Sequence, residues 1–142
     1  MNKKYTFTGL TKEHNGITLH QIKALRNFGK VKKGDIGGWI ESEENLSQED
    51  NCWVFENAQV SGNAQVFGNA QVYENAWVYG SAQVHGNAWV YGDAWVSDNA
   101  RVYGNAQIYE NAQVFENAQV YGNTQVFGCD QVYGNALVSG VG

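Results

Sequence analysis

The chain has 142 residues, 17 of them Gly and none Pro, and its apolar content is dominated by Val, Ala and aromatics, which points to a thin, regular β-type core and excludes a mixed helical one. No segment approaches the roughly 18 consecutive apolar residues of a membrane span, and the start "MNKKYTFTGL" lacks the apolar stretch of a secretory leader. The net charge of −5 is unevenly spread: residues 1–35 hold eight basic residues against Glu13 and Asp35, giving +6, and residues 36–142 hold one basic residue against twelve acids, giving −11.

In chain order, "YTFTGL" and "ITLHQIKAL" read as two strands around "EHNG", with Asn15-Gly16 as the turn. A short helix over Ile22–Phe28 is the alternative for the second segment. Residues 1–35 are expected to form a β-rich N-terminal cap, because a solenoid end left bare recruits other chains. Lys23, Arg26, Lys30, Lys32 and Lys33 form its candidate basic patch. Such a patch can grip nucleic-acid phosphates. The preferred reading is that it settles against the acidic run "ESEENLSQED" that follows. "GDIGG" (34–38) is too short for a phosphate loop. Ile36, Ile40, Leu46 and Cys52 are expected inward, in a first, irregular coil.

From Val54 to Val138 a valine or isoleucine recurs at fifteen positions spaced by six, without an insertion. Ala stands two residues before nearly every one. Residues two apart share one face of a strand, so Ala and Val point inward and the Gln or Trp between them outward. A period of six drifts around a helix, which excludes one. Gly-Asn pairs supply corners, both residues tolerating positive φ. Each hexad is therefore a strand of three or four residues plus a bend, and three hexads close a triangular coil of 18 residues. Residues 36–142 are expected to form a parallel β-solenoid of five to six such coils. At the spacing of paired strands, five coils make a rod of about 24 Å.

The run V-x-G-N-A-Q resembles the hexapeptide repeat of left-handed β-helices. "LHQIKALRNFG", "KKGDIGGWIESEENLS" and "NCWVFENAQV" resemble the N-terminal module of the YdcK-type β-solenoid repeat proteins, many of them from prophages. The resemblance implies a left-handed β-helix; the spacing by itself gives no hand. Members are often labelled acyltransferases by analogy with hexapeptide enzymes, which use a histidine base, usually at a trimer interface, and loops that interrupt the coils. Likeness of fold does not carry activity.

The residues offer no catalytic, cofactor-binding or metal-binding set. The unbroken repeat leaves no loop to build a cleft. His85 stands in an outward aromatic slot, and His14 and His20 lie in the cap. Cys52 occupies an inward Ala slot and Cys129 a corner, several coils apart and beyond the roughly 7 Å reach of a disulfide. Two unpaired cysteines suit a reducing compartment, so the chain is expected in the cytoplasm and off the membrane. The candidate interaction surface is aromatic. Trp77 and Trp95, 18 residues apart, should stack on one face beside Tyr79, and Trp89 should neighbour Tyr73 and Tyr91 on another. Near the far end, Leu137 and Val141 are candidate contacts for a homodimer joined through the C-terminal coils, with a side-packed trimer as the runner-up. The function expected is a non-enzymatic, rigid interaction or assembly module, prophage-encoded, with an unknown protein as a possible partner. An acyltransferase-like enzyme and a nucleic-acid binder using the basic cap are the alternatives.

Overall fold

The structure, a computed structural model, describes residues 3–140. Strand β1 (Tyr5–His14) turns at Asn15-Gly16 into β2 (Ile17–Ala24). Both turn residues have positive φ, 51° and 79°, as a two-residue type I′ hairpin requires. No helix forms over Ile22–Phe28: β2 runs through Ala24, and Phe28 then bridges Val31. β2 pairs antiparallel with β3 (Ile36–Ile40), a short 3₁₀ turn spans Glu43–Asn45, and from β4 (Trp53–Val54) to β18 (Leu137–Gly140) fifteen strands recur every six residues.

Residues 18 apart pair in parallel, as Trp77 with Trp95 and Val78 with Val96. The strands sort into three sheets, one per face of a triangular prism. The first face holds six coil strands, beginning at β3, and the hairpin extends it to eight. The fold is thus a parallel β-solenoid of about six 18-residue turns. Its interior is the predicted column: Ala58 to Ala118 and Val54 to Val120 of the frame are buried throughout. Each buried Val contributes about 2 kcal/mol of transfer free energy. Among the described residues, no helix is long and apolar enough to cross a membrane.

Two local expectations need correction, and a third is refined. Most strands are two residues long, not three or four, because each corner uses a four-residue turn closed by a bond such as Ala58 N–H to Phe55 O, 3.1 Å. Within those turns the corner Asn does not take positive φ. The residue before it does, whether Gly or an acid: Glu56, Glu74, Asp98, Glu110 and Glu116 have φ of 57–60°. Positive φ at the first central residue alone is the type II′ pattern. For a non-glycine residue that conformation costs about 1 kcal/mol or more. Four of these five carboxylates, all but Glu74, offset it by accepting a backbone N–H one coil on, as Asp98 does from Glu116 (3.0 Å) and Glu116 from Gly134 (3.0 Å). Corner Asn residues instead ladder through their amides, Asn105 Nδ2 donating to Asn123 Oδ1 at 3.2 Å.

The other correction is Ile36, expected inward but 53% exposed. Parallel pairing begins only at Trp39, opposite Gln59, so Ile36 precedes the stack. Ile40, Leu46 and Cys52 are buried as expected. The glycines beside Ile36 are there for packing. A Cβ on Gly37 would lie 2.7 Å from the Trp53 ring, and one on Gly38 2.7 Å from the Ala58 carbonyl.

Candidate functional site

The hairpin is longer than its platform. β2 pairs with β3 only as far as His20 opposite Ile40, so Ile17–Leu19 and their partners Lys12–His14 overhang. A register shift between Phe7 and Thr11, with Gly9 at φ 99°, lets β1 change course. The overhang settles on the outer side of the first face. Lys12 Nζ lies 4.4 Å over the Trp39 ring, a cation–π contact. The His14 ring meets Trp77 edge to face at 4.4 Å. Trp77 stacks parallel on Trp95 at 5.1 Å, and Tyr79 approaches Trp95 edge-on at 6.4 Å.

Between hairpin tip and ladder is a cleft of about 320 Å³, lined by His14, Asn15 and Ile17 from the tip and by Gln59, Ser61, Trp77, Tyr79 and Trp95 from the coils. The sequence reading expected no cleft because no loop interrupts the repeat. The repeat is indeed unbroken, but the wall comes from the N-terminal hairpin. Spacing within the coils carries no information on where that hairpin lies.

No carboxylate, lysine or arginine lines the cleft. His14 Nε2 is 3.3 Å from Asn15 Nδ2. General-base chemistry needs an oriented imidazole, for which a carboxylate partner is the usual device; here the neighbour is an amide. The cleft's other polar groups are uncommitted. Elsewhere on the rod a tyrosine hydroxyl donates to the Gln sixteen residues on, Tyr103 to Gln119 at 3.1 Å and Tyr109 to Gln125 at 3.2 Å. Sixteen residues past Tyr79 stands Trp95, which offers no such acceptor. Among the described residues the Tyr79 and Ser61 hydroxyls and the Gln59 amide have no hydrogen-bond partner in the chain.

The remaining candidates lie apart from this cleft. Tyr73, Tyr91 and Trp89 cluster on the second face, Tyr73 stacking on Tyr91 at 4.7 Å and meeting Trp89 edge-on. Burial, helped by Tyr91 and Glu74, pushes the Tyr73 phenol up to about 12. His85 is sandwiched between Phe67 and Tyr103, at 4.5 and 5.0 Å. Burial and then Arg101 hold its pKa below the usual imidazole range. It is a rung in an aromatic ladder.

Lys23, Arg26, Lys30, Lys32 and Lys33 are all exposed. Among the described residues none of the five pairs with a carboxylate, although Arg26 donates to the Gln48 carbonyl at 3.3 Å. The head–acid contact forms instead through Lys3 and Glu43, 3.1 Å apart. Leu137 is 64% exposed, and Val141 lies outside the described residues. Cys52 is buried and Cys129 exposed. The described residues include no cluster of three or more potential metal ligands.

One important residue escaped the sequence reading. Lys4 is fully buried. Its Nζ donates to the carbonyls of Cys52 (2.7 Å), Glu49 (3.1 Å) and Asp50 (3.3 Å), and lies 3.3 Å from Cys52 Sγ. Burial lowers the lysine pKa and raises that of the Cys52 thiol. Written within "NKKY", it looks like any surface lysine.

Comparison with known proteins places the repeats. Residues 58–74, 70–86, 82–98 and 94–110 each match the YdcK β-solenoid repeat. The matched stretch is similar to that repeat, and it contains the aromatic floor of the cleft but not the hairpin. A relative is the "Uncharacterized acetyltransferase YdcK" of Escherichia coli (strain K12), 45% identical over 40 residues. The match covers 28% of this chain and 12% of that protein's length.

Proposed function

We propose that this chain is a non-enzymatic, cytoplasmic interaction module that presents a binding cleft on a rigid rod. The observation that carries this reading is the cleft: stacked Trp77 and Trp95 on the coils, roofed by the hairpin tip, with neutral hydrogen-bonding groups left free. Small-molecule sites have this make-up, an apolar and aromatic surface with a few polar groups. Sites built on packed strands also keep their geometry without a ligand.

The relative's name raises the acyltransferase alternative, in which His14 would serve as base. Coenzyme A carries several phosphate charges, and neither a lining without lysine or arginine nor a solenoid of net charge −11 favours it. The test has two arms. Neutral fluorinated aromatic fragments screened by ¹⁹F NMR should bind, and Trp95→Gln should weaken them at least tenfold. Gln is what the repeat places at this position in other coils, so the fold is preserved. Acetyl-CoA with amine acceptors should release no thiol above the blank. Thiol release abolished by His14→Ala would overturn the reading.

The far end supports an assembly role as well. Among the described residues the strands at Gln125–Val126, Gln131–Val132 and Leu137–Gly140 each have one neighbour. Val132 is only half-buried there, whereas its counterparts Val96 and Val114 on the same face are fully buried. Phe127, Tyr133 and Leu137 are exposed. Unpaired strands beside exposed apolar groups favour pairing with a second copy, and two-fold closure covers both edges. A homodimer through these coils is therefore proposed ahead of a side-packed trimer. Light scattering should give a dimer for the intact chain and a monomer for Leu137→Lys. An intact monomer, or an oligomer indifferent to the substitution, would refute end-to-end pairing.

A further inference from the structure

We infer that the cleft under the hairpin tip is a carbohydrate site taking one neutral pyranose unit, an assignment that rests on the binding reading above. Charge comes first. No carboxylate, lysine or arginine lines the cleft, and the nearby Lys12 directs its ammonium onto Trp39. The body around it is acidic, which disfavours anionic ligands.

Two kinds of surface then meet in one small space. Trp95 is 37% exposed, with Trp77 stacked on it. The part of the Trp95 indole that Trp77 leaves uncovered is an aromatic surface for the weakly positive C–H groups that line a sugar ring. Around it stand the Gln59 amide, the Ser61 and Tyr79 hydroxyls and the His14 imidazole, which together can both donate and accept. A purely aliphatic ligand would desolvate those groups without replacing their hydrogen bonds. A saccharide answers each hydroxyl-sized gap with a hydroxyl. The volume of about 320 Å³ is at the lower end of ligand pockets, which suits a single ring better than an extended peptide. The site also differs from two later coils: Trp95 stands where Gln119 and Gln125 accept from the tyrosine hydroxyl sixteen residues earlier. One replacement thus adds the stacking surface and frees the Tyr79 hydroxyl.

Saturation-transfer NMR on the full chain tests this with N-acetylglucosamine, its methyl β-glycoside and methyl β-glucopyranoside, each at millimolar concentration, and with octaproline as the peptide probe. We expect transfer to the ring C–H protons of at least one saccharide. Trp95→Gln should remove it, and Trp89→Gln, on another face, should leave it unchanged. Equal binding of the methyl β-glycoside, whose anomeric oxygen is blocked as within a glycan, assigns a glycan unit; preference for the free sugar assigns a monosaccharide. No transfer to any saccharide, transfer indifferent to Trp95→Gln, or binding of octaproline alone overturns the assignment. If aromatic fragments still bind in a Trp95-dependent way, only the sugar assignment falls. If they do not, the binding reading falls with it.

Discussion

Val90→Asp is expected to abolish cooperative folding of the solenoid, read as loss of the thermal transition at neutral pH. Val90 is fully buried and stacks in register between Val72 and Ile108. The groups around it are apolar side chains and backbone amides already paired with the next coil. A carboxylate placed there finds neither cation nor free donor, at a cost of about 3–5 kcal/mol or more. That is a large part of the roughly 5–15 kcal/mol stability of an ordinary domain. Because each coil touches only its neighbours, the break also divides the rod. Tyr91→Asp is the comparison. The strand alternation alone calls it harmless, since residue 91 faces outward. The structure places Tyr91 between Tyr73 and Tyr109, at 4.7 and 5.0 Å. Losing two stacked contacts should cost about 1–2 kcal/mol and lower the melting temperature without abolishing the transition. Equal damage from the two substitutions would refute the in–out assignment.

Lys4→Met is the second substitution with a large expected effect. Methionine fills much of the same space but leaves the carbonyls of Glu49, Asp50 and Cys52 without their buried donor. Unsatisfied acceptors of this kind cost about 1–3 kcal/mol each when fully desolvated, and partial relaxation makes about 3 kcal/mol in total a reasonable expectation. Urea unfolding should show a clearly lower midpoint, with early proteolysis within residues 43–52. Lys3→Met removes only the solvent-exposed pair with Glu43, worth about 0.5 kcal/mol or less. Equal midpoints for the two variants would sink the proposed role of Lys4. The pH dependence has a definite sign. Burial holds the lysine pKa below 10.5 in the folded chain. Between that value and 10.5 the unfolded chain keeps the proton and the folded chain has lost it. Raising pH through the window therefore stabilises wild type relative to Lys4→Met.

What could be read from the sequence follows from how information is stored in it. The coil, its 18-residue period and the stacking of Trp77 on Trp95 were legible because each is fixed by residue spacing. The Asn15-Gly16 turn was legible because few residues accept two successive positive φ angles. The corners were legible as Gly-Asn pairs, but the pair does not tell which member takes positive φ; the acids in the Gly slot were the available clue. The cleft and the buried Lys4 were not legible. Both depend on how a hairpin docks against coils dozens of residues away. The residues that mark the docking are glycines 37 and 38, notable only for the side chain they lack.

The 18-residue period has a consequence for how such a chain can change length. The face on which a residue lies depends only on its position within the coil. Deleting residues 97–114, three whole hexads, would shorten the rod by one rung and leave Trp95 under Trp77. Deleting a single hexad, such as 83–88, would keep every inward valine and every corner, yet carry Trp95 onto the neighbouring face and bring Arg101 beneath Trp77. Copy-number slippage within the coils that carry the cleft therefore keeps its residues on one face only in steps of three hexads. Slips of one or two hexads would leave the scaffold sound and scramble what it displays.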